Sequence, residues 1–502
     1  MRKLFFIFGI AAFILSVTIY FYFKTTVTLP IILLILLFIG LRNSTQHKHA
    51  ILRNFPVLGY FRYFFEMIAP EIQQYFIERT TDGKPFSRNE RSLVYQRAKN
   101  IDATTPFGTQ LDINQSNYEG IKHSIFPAKV NDDMPRVTIG GPDCKQPYRA
   151  SILNISAMSF GSLSENAIVA LNKGAKKGRF YHNTGEGGLT EFHLQGGDIT
   201  WQIGTGYFGC RTKEGNFDAD KFVDKSNKPE VKMIEIKLSQ GAKPGHGGVL
   251  PASKNTEQIA KIRGVEPHTT ILSPPSHTAF HNPSGLIQFV AQLRSLSNGK
   301  PIGFKLCIGQ SSEFEAICHE MILQNCFPDF ITVDGAEGGT GAAPLEFSDG
   351  VGMPFEPAII FVNKTLISLN IRDKIRVIGS GKIISGYSIL RAIAMGADLC
   401  NSARGFMFSL GCIQALRCNN NACPTGVATQ DKMLMKGLVV TDKAERVYHF
   451  HKNTLHAANE LLAAAGKTAY SEVDNSIFMR GDEFTKLSDL YFPDNLTSVS
   501  QL

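Results

Sequence analysis

The sequence predicts an α/β protein, a TIM (β/α)8 barrel preceded by a transmembrane helical hairpin and a helical extension. Three observations lead there. Between about residues 150 and 430, short apolar runs rich in β-branched residues alternate with helical stretches. Polar, Gly-rich loops follow those runs, where a barrel carries its active site. About eight such repeats fit into this stretch, as an eightfold barrel requires. Buried strands alternating with helices argue for parallel βα units, with a doubly wound sheet as the alternative.

At the N-terminus, residues 4–23 are an unbroken uncharged, mostly apolar run. As a helix, a run of that length crosses about 30 Å of hydrocarbon. Lys24 interrupts it, and a second apolar run of thirteen residues, 29–41, follows. Thirteen is short of the roughly 20 residues that a span needs. Arg2 and Lys3 precede the first run, and Arg42, Lys48 and Arg53 follow the second. The bias of basic residues toward the inner face then puts both ends in the cytoplasm, so residues 1–42 are expected to anchor a cytoplasmic catalytic domain. The alternative is a cleaved signal peptide, but no small-x-small cleavage site follows Phe23.

Residues 43–145 form an extension expected to pack on the barrel or on the membrane surface. Residues 60–76 are rich in aromatics, with Arg62 among them, and read either as a helix lying on the bilayer or as one packed on the main domain. Residues 81–85 form a turn, and Ser87-Arg-Asn-Glu90 has capping-box spacing ahead of a helix. The net charge of +8 admits nucleic acid or anionic lipid as a partner. With no zinc finger and no RNA-binding aromatic signature, membrane lipid is expected and nucleic acid is not. The nine cysteines are odd in number and six stand alone, so a reducing compartment is implied.

The barrel is expected over 146–466, with a tail at 467–502. Candidate strands are 150–154, 231–237, 270–272, 302–306, 330–333, 375–378 and 399–401, and candidate helices are 165–177, 283–295, 313–324 and 386–395. The loop Ser156-Ala157-Met158-Ser159-Phe-Gly-Ser162 has small residues that let a flat cofactor lie against backbone. Asn183-Thr-Gly-Glu186-Gly-Gly188 sets a carboxylate between glycines. Residues 237–248 supply Lys237, Gln240 and Lys243 within one loop, a set that can pair with a dicarboxylate or an electron-rich ring. Lys305 ends a strand, where a cation can stabilise a reduced flavin. Asp334-Gly-Ala-Glu-Gly338-Gly339-Thr340 follows another strand, and Gly379-Ser380-Gly381 opens a strand–turn–helix phosphate cradle at about the seventh position. Gly405, past the last candidate strand, is a further cofactor candidate.

Two matches are set aside. Gly204-Thr-Gly-Tyr-Phe-Gly209 fits G-x-G-x-x-G, but no helix opens there. His277 and His281 have i,i+4 spacing, but prolines crowd them, so they read as loop or cleft residues rather than metal ligands.

Cys412, Cys418 and Cys423 are spaced C-x5-C-x4-C and close on Cys-Pro. Thiolates suit iron–sulfur clusters and zinc; with no fourth cysteine or histidine nearby, a three-iron cluster fits better than tetrahedral zinc. The alternative is three buried core thiols.

This segment resembles the cluster segment of the glutamate synthase large subunit. The loops SAMSFGS, NTGEGG, KLSQGAKPGHGG and GGTGAAP, the Ser273-Pro-Pro275 turn and the Lys305 strand resemble that family's FMN-binding synthase domain in the same order. Residues 93–99 and 106–109 look like those of its stand-alone FMN-binding relatives. The resemblance implies FMN on a barrel and a [3Fe-4S] cluster on Cys412, Cys418 and Cys423. It also implies hydride transfer to 2-iminoglutarate, made from 2-oxoglutarate and ammonia. Ser156–Ser159, Lys305, Gly338, Gly339, Thr340, Gly379, Ser380, Gly381 and Gly405 are then the cofactor candidates. Gln240, Lys243, His246 and Arg263 are the substrate candidates, and Glu186, Lys237 and Lys243 the catalytic ones, with Glu186 where ammonia arrives. The electron donor is expected to be a ferredoxin, an NAD(P)H reductase subunit or a quinone.

Full-length members carry a glutaminase domain and a β-helix that have no counterpart here, and no NAD(P)H module is present. They typically have Glu at the position of His246 and Gln at that of Val249, the latter associated with 2-oxoglutarate. The alternatives are therefore a flavin enzyme acting on another small acid with membrane quinone, or a redox-relay subunit without its own substrate.

Overall fold

The computed structural model describes residues 1–480 apart from 25, 102, 103 and 132. The last part of the expected tail, 481–502, lies outside the described residues. The chain divides into two compact units, Met1–Arg88 and Asn89–Leu502.

In the first unit the apolar runs form helices Arg2–Phe23 and Thr28–Thr45. The second is longer than its apolar core, because Arg42, Asn43, Ser44 and Thr45 continue its last turn. Both are long and apolar enough to cross a membrane. They approach closely where side chains are small: a Cβ on Gly9 would lie 2.9 Å from Leu37, and one on Gly40 would overlap Phe5. The aromatic stretch forms helix Gly59–Ile72 and a π-helical turn, Gln73–Ile77. Phe61, Phe64, Phe65 and Phe76 on it are exposed.

In the second unit eight parallel strands close a barrel in chain order. They are β1 (Leu153–Ile155), β2 (His182–Asn183), β3 (Ile199–Ile203), β4 (Val231–Lys237), β5 (Ile302–Leu306), β6 (Phe330–Asp334), β7 (Arg376–Ser380) and β8 (Leu399–Ser402). Helices Glu165–Gly178, Pro283–Leu296, Ser311–Leu323 and Gly386–Ala394 lie where the sequence puts them. Their starts are chemically set: Ser164, Asn282 and Ser385 each accept a backbone N–H at the N-cap.

The strand expectations need three corrections. The run 150–154 is split: Tyr148–Ser151 pairs antiparallel with Arg136–Ile139, and only Leu153–Ile155 enters the barrel. The run 270–272 is no barrel strand, since Ile271–Leu272 pairs antiparallel with Val249–Leu250. Strands β2 and β3 complete the ring instead.

The barrel interior is partly polar. Glu235 of β4 is buried and accepts from Asn183 Nδ2 (2.8 Å), Gln202 Nε2 (2.7 Å) and Thr332 Oγ1 (2.6 Å), three donors from three strands. A buried carboxylate is tolerated when hydrogen bonds replace its hydration.

Candidate functional site

The loops that follow the strands bring the expected residues to one end of the barrel. Lys305, at the end of β5, forms an ion pair with Asp334 Oδ2 (3.1 Å), which closes β6. Asp334 also accepts from Ser380 Oγ (2.8 Å) and the Gly241 amide (3.0 Å), so one carboxylate ties the ends of β6 and β7 to the loop after β4. Burial works to lower the affinity of Lys305 for its proton. Asp334 and Glu235 outweigh burial and hold the ammonium charged.

Glu186, in the loop after β2, pairs with Lys237 Nζ at 2.8 Å. Lys243 and Arg263 also act on it electrostatically. Burial pushes its carboxyl up, but the three cations outweigh burial and keep it below its usual value, hence ionised. Its second oxygen, Oε2, is buried without a hydrogen-bond partner. Lys243 Nζ donates to Ala342 O (2.9 Å), and Arg263 Nη2 donates to Phe160 O (3.1 Å) with its guanidinium over the Phe208 ring. The Arg263 Nε is buried and unpartnered. Burial pushes Lys243 down to about 8 and Arg263 down to about 10. Three buried cations thus face one carboxylate, an excess of positive charge beside two orphaned polar atoms.

Glycines make room for this packing. A Cβ on Gly248 would stand 2.5 Å from Glu186 Oε1, and one on Gly187 2.8 Å from the Ser159 Cβ. Gly185, at φ +62°, packs against the backbone of Met158 and Ser159, where any side chain would collide.

The remaining candidates divide. Ser156 is held by its amide to Ser402 O, joining the loop after β1 to β8, and Ser159 Oγ bonds Ser162 Oγ at 3.1 Å. Ala157 and Met158 lie between them. Gly338, Gly339 and Thr340 follow β6, Gly379 and Ser380 end β7, Gly381 comes next, and Gly405 is buried in the first turn of Arg404–Ser409 after β8. Gln240 is half-buried beyond β4. His246 stands apart: its Nδ1 lies 2.8 Å from Gly247 O and its ring packs edge-on against Phe347. His277 is a buried cleft residue, bonded to Tyr207 OH and Lys237 O and pushed down to about 4 by burial. Tyr207 sits in a turn and no helix opens after Gly204, so the G-x-G-x-x-G match is a loop.

Past β8 the chain winds irregularly through the three cysteines. Gln414, Leu416 and Asn421 have left-handed φ angles of 58°, 55° and 64°. The Gln414 amide points at Cys412 Sγ (3.5 Å), and the Tyr95 hydroxyl holds Cys412 O at 2.6 Å. Burial pushes Cys412 up to about 12, with the Cys418 and Cys423 thiols adding to the effect. Cys423 differs. Burial would raise it, but hydrogen bonds from the Thr425 hydroxyl and the amides of Thr425, Val427 and Ala428 outweigh burial and favour its thiolate. Among the described residues, no group of three or more His, Cys, Asp or Glu side chains is drawn in to metal-ligand geometry.

Residues 120–468 match the conserved region in glutamate synthase. The glutamate synthase large subunit-like protein YerD of Bacillus subtilis (strain 168) is 38% identical, over 88% of this chain and 91% of its own length. The chain belongs to the glutamate synthase family. It is, with that family, an oxidoreductase. The archaeal glutamate synthase [NADPH] of Methanocaldococcus jannaschii is 35% identical over 62% of this chain and 58% of its own length. The glutamate synthase [NADPH] large chain of Azospirillum brasilense is 29% identical over 63% of this chain and 20% of its own.

In this member of the glutamate synthase family, four site residues have no role assigned by the motif reading. Asp334 and Glu235 set the charge of Lys305. Arg404 donates to Glu337 O (2.7 Å) and lies 3.1 Å from where a Gly339 Cβ would stand. Lys254 sits beneath the cysteine loop. Only Asp334, at a strand end ahead of a Gly-rich loop, carried a signal of position.

Proposed function

We propose that this chain is an FMN- and iron–sulfur-dependent oxidoreductase of glutamate synthase type that reduces 2-iminoglutarate, formed from 2-oxoglutarate and ammonia, to L-glutamate. The observation that carries this reading is the excess of buried positive charge around Glu186. A dicarboxylate neutralises two cations, and the Arg263 fork and the Lys243 ammonium are suited to carboxylates. Glu186, kept ionised, is an acceptor for the N–H groups of ammonia or an imine, and its Oε2 is free to receive one. Lys243, pushed down to about 8, can hold or give up a proton near neutral pH.

The residues present fit a flavin. Ser156–Ser159, Gly338–Thr340, Gly379–Gly381 and Gly405 would hold it, and the loops after β7 and β8 are where barrels hold phosphate. Lys305, locked protonated, supplies positive charge where a reduced flavin needs it. FMN would supply the hydride. The residues also fit a cluster: Cys412, Cys418 and Cys423 would hold it, supported by the amides and hydroxyl around Cys423.

Membrane lipid would hold the two N-terminal helices, with the exposed aromatic helix Gly59–Ile72 at the interface and the catalytic unit on the cytoplasmic side. The electrons would come from a ferredoxin, a reductase subunit or a quinone.

Val249 and His246 favour a second reading, a flavin enzyme for a different small acid exchanging electrons with membrane quinone. His246 packs on Phe347 rather than joining the cations. The two readings separate in one experiment. The protein is purified in detergent, photoreduced without oxygen, and its flavin absorbance followed. Rapid reoxidation that needs both 2-oxoglutarate and ammonium is expected. Retained reduced flavin with both present would favour the second reading.

A further inference from the structure

Lys254 lies in the turn Ala252–Lys254, outside every motif, and is 1% exposed. Its Nζ donates to Ser162 O (2.6 Å), Cys418 O (3.1 Å) and Ala428 O (3.2 Å). An ammonium has three N–H donors and no acceptor, so this geometry uses every donor of the charged form, while burial pushes Lys254 down to about 8. The acceptors come from two segments. Ser162 ends the loop after β1 that carries Ser156–Ser159, while Cys418 and Ala428 belong to the cysteine segment.

Tying these segments together does not itself need a charge. Gln430 Nε2 bonds Gly161 O (3.1 Å) and Leu163 O (2.9 Å), making a neutral strap between the same two stretches. The nearest helix dipole does not favour a cation either. Ser162 stands two residues ahead of the N-cap Ser164, where the helix dipole is positive. Lys300 gives the contrast. It too donates to three carbonyls, but Ser226 O among them ends helix Ala219–Ser226, where the dipole welcomes positive charge. The charged or chargeable groups that face Lys254 are the Cys418 and Cys423 thiols and the Arg263 guanidinium. A buried cation without an anion is costly, and the anions within its reach are those two cysteines once deprotonated.

We propose that Lys254 is the buried counter-charge of a thiolate-ligated cluster, a positioning residue that sets the cluster's affinity for its electron while tying it to the flavin loop. This rests on the reading of Cys412, Cys418 and Cys423 as cluster ligands. One electron added to the cluster makes it more negative by one charge. A fixed cation beside it favours that state and raises the reduction potential.

The test uses the full chain in detergent under anaerobic conditions. Iron and flavin are counted per chain, and the cluster is titrated potentiometrically with its paramagnetic signal as readout. Lys254→Gln is expected to keep flavin and to shift the cluster potential negative, while Lys254→Arg stays near the unaltered protein. Gln430→Met, which cuts the neutral strap and keeps the charge, is expected to leave the potential unchanged and remains informative if Lys254→Gln does not fold. An unshifted potential in Lys254→Gln, or a negative shift in Gln430→Met, would overturn the proposal. Failure of the underlying reading looks different: no iron in the unaltered protein, or iron retained in Cys418→Ser.

Discussion

At the N-terminal end of the barrel, Asp329 is buried against Arg294 (3.0 Å) and also accepts the amides of Ile302 (2.8 Å) and Gly141 (2.6 Å). Asp398 there accepts the Val377 amide (2.7 Å) and pairs with Arg372 (2.9 Å). At the C-terminal end, Glu186 answers to Lys237, Lys243 and Arg263 together, and one of its oxygens has no partner. Both ends place buried or half-buried charge at strand termini. One end balances each carboxylate with a cation and with backbone amides, and so holds the turn between Arg136–Ile139 and Tyr148–Ser151 to the strand ends. The other leaves cations in surplus, a cost in stability that a bound anion would offset; an unpaired guanidinium nitrogen is common to both ends, Nε of Arg294 at one and Nε of Arg263 at the other. Buried charge alone therefore does not mark a site, whereas its imbalance does.

The comparison can be broken first at the balanced end. Asp329→Asn leaves buried Arg294 with only the exposed Asp143 carboxylate at 3.9 Å, and the expected loss is about 3 kcal/mol of unfolding free energy in a denaturant titration. The folded fraction should bind ligand as before; weaker binding at unchanged stability would remove the distinction between the ends. At the unbalanced end the expectation reverses. Lys243→Met removes a surplus cation, so stability should hold or rise, while dicarboxylate affinity falls about 30-fold, the equivalent of about 2 kcal/mol for one charge-assisted hydrogen bond. The smallest effect comes from pH. Because burial pushes Lys243 down to about 8, it is charged below that pH and loses its proton above it. Dicarboxylate binding should be strongest below pH 8 and weaken above it, and Lys243→Arg should move that fall to higher pH. A flat profile would take Lys243 out of carboxylate binding.

The sequence makes the barrel legible at Val231–Lys237 and from 302 onward, where strands such as Ile302–Leu306 are apolar and end on Gly-rich loops. The first half is harder to read. His182–Asn183 is only two residues long and sits inside a motif that reads as loop, and Ile199–Ile203 carries Gln202 toward a partner, Glu235, that appears only on folding. The run 270–272 has the composition of a barrel strand, and composition does not reveal that its partner is Val249–Leu250. The site reads well where chemistry clusters locally, as in the loop with Lys237 and Lys243 or the three cysteines. It reads poorly where one charged residue acts across the fold. Lys254 meets Cys418 over 164 positions of chain, and Glu235 collects donors from three other strands.

The most direct test of the charge imbalance is calorimetric binding of 2-oxoglutarate beside 2-oxobutyrate, which keeps the oxo-acid head and lacks the second carboxylate. The expected result is at least about tenfold tighter binding of the dicarboxylate, with the advantage lost in Lys243→Met. Equal affinity for the two acids in the unaltered protein would contradict the account.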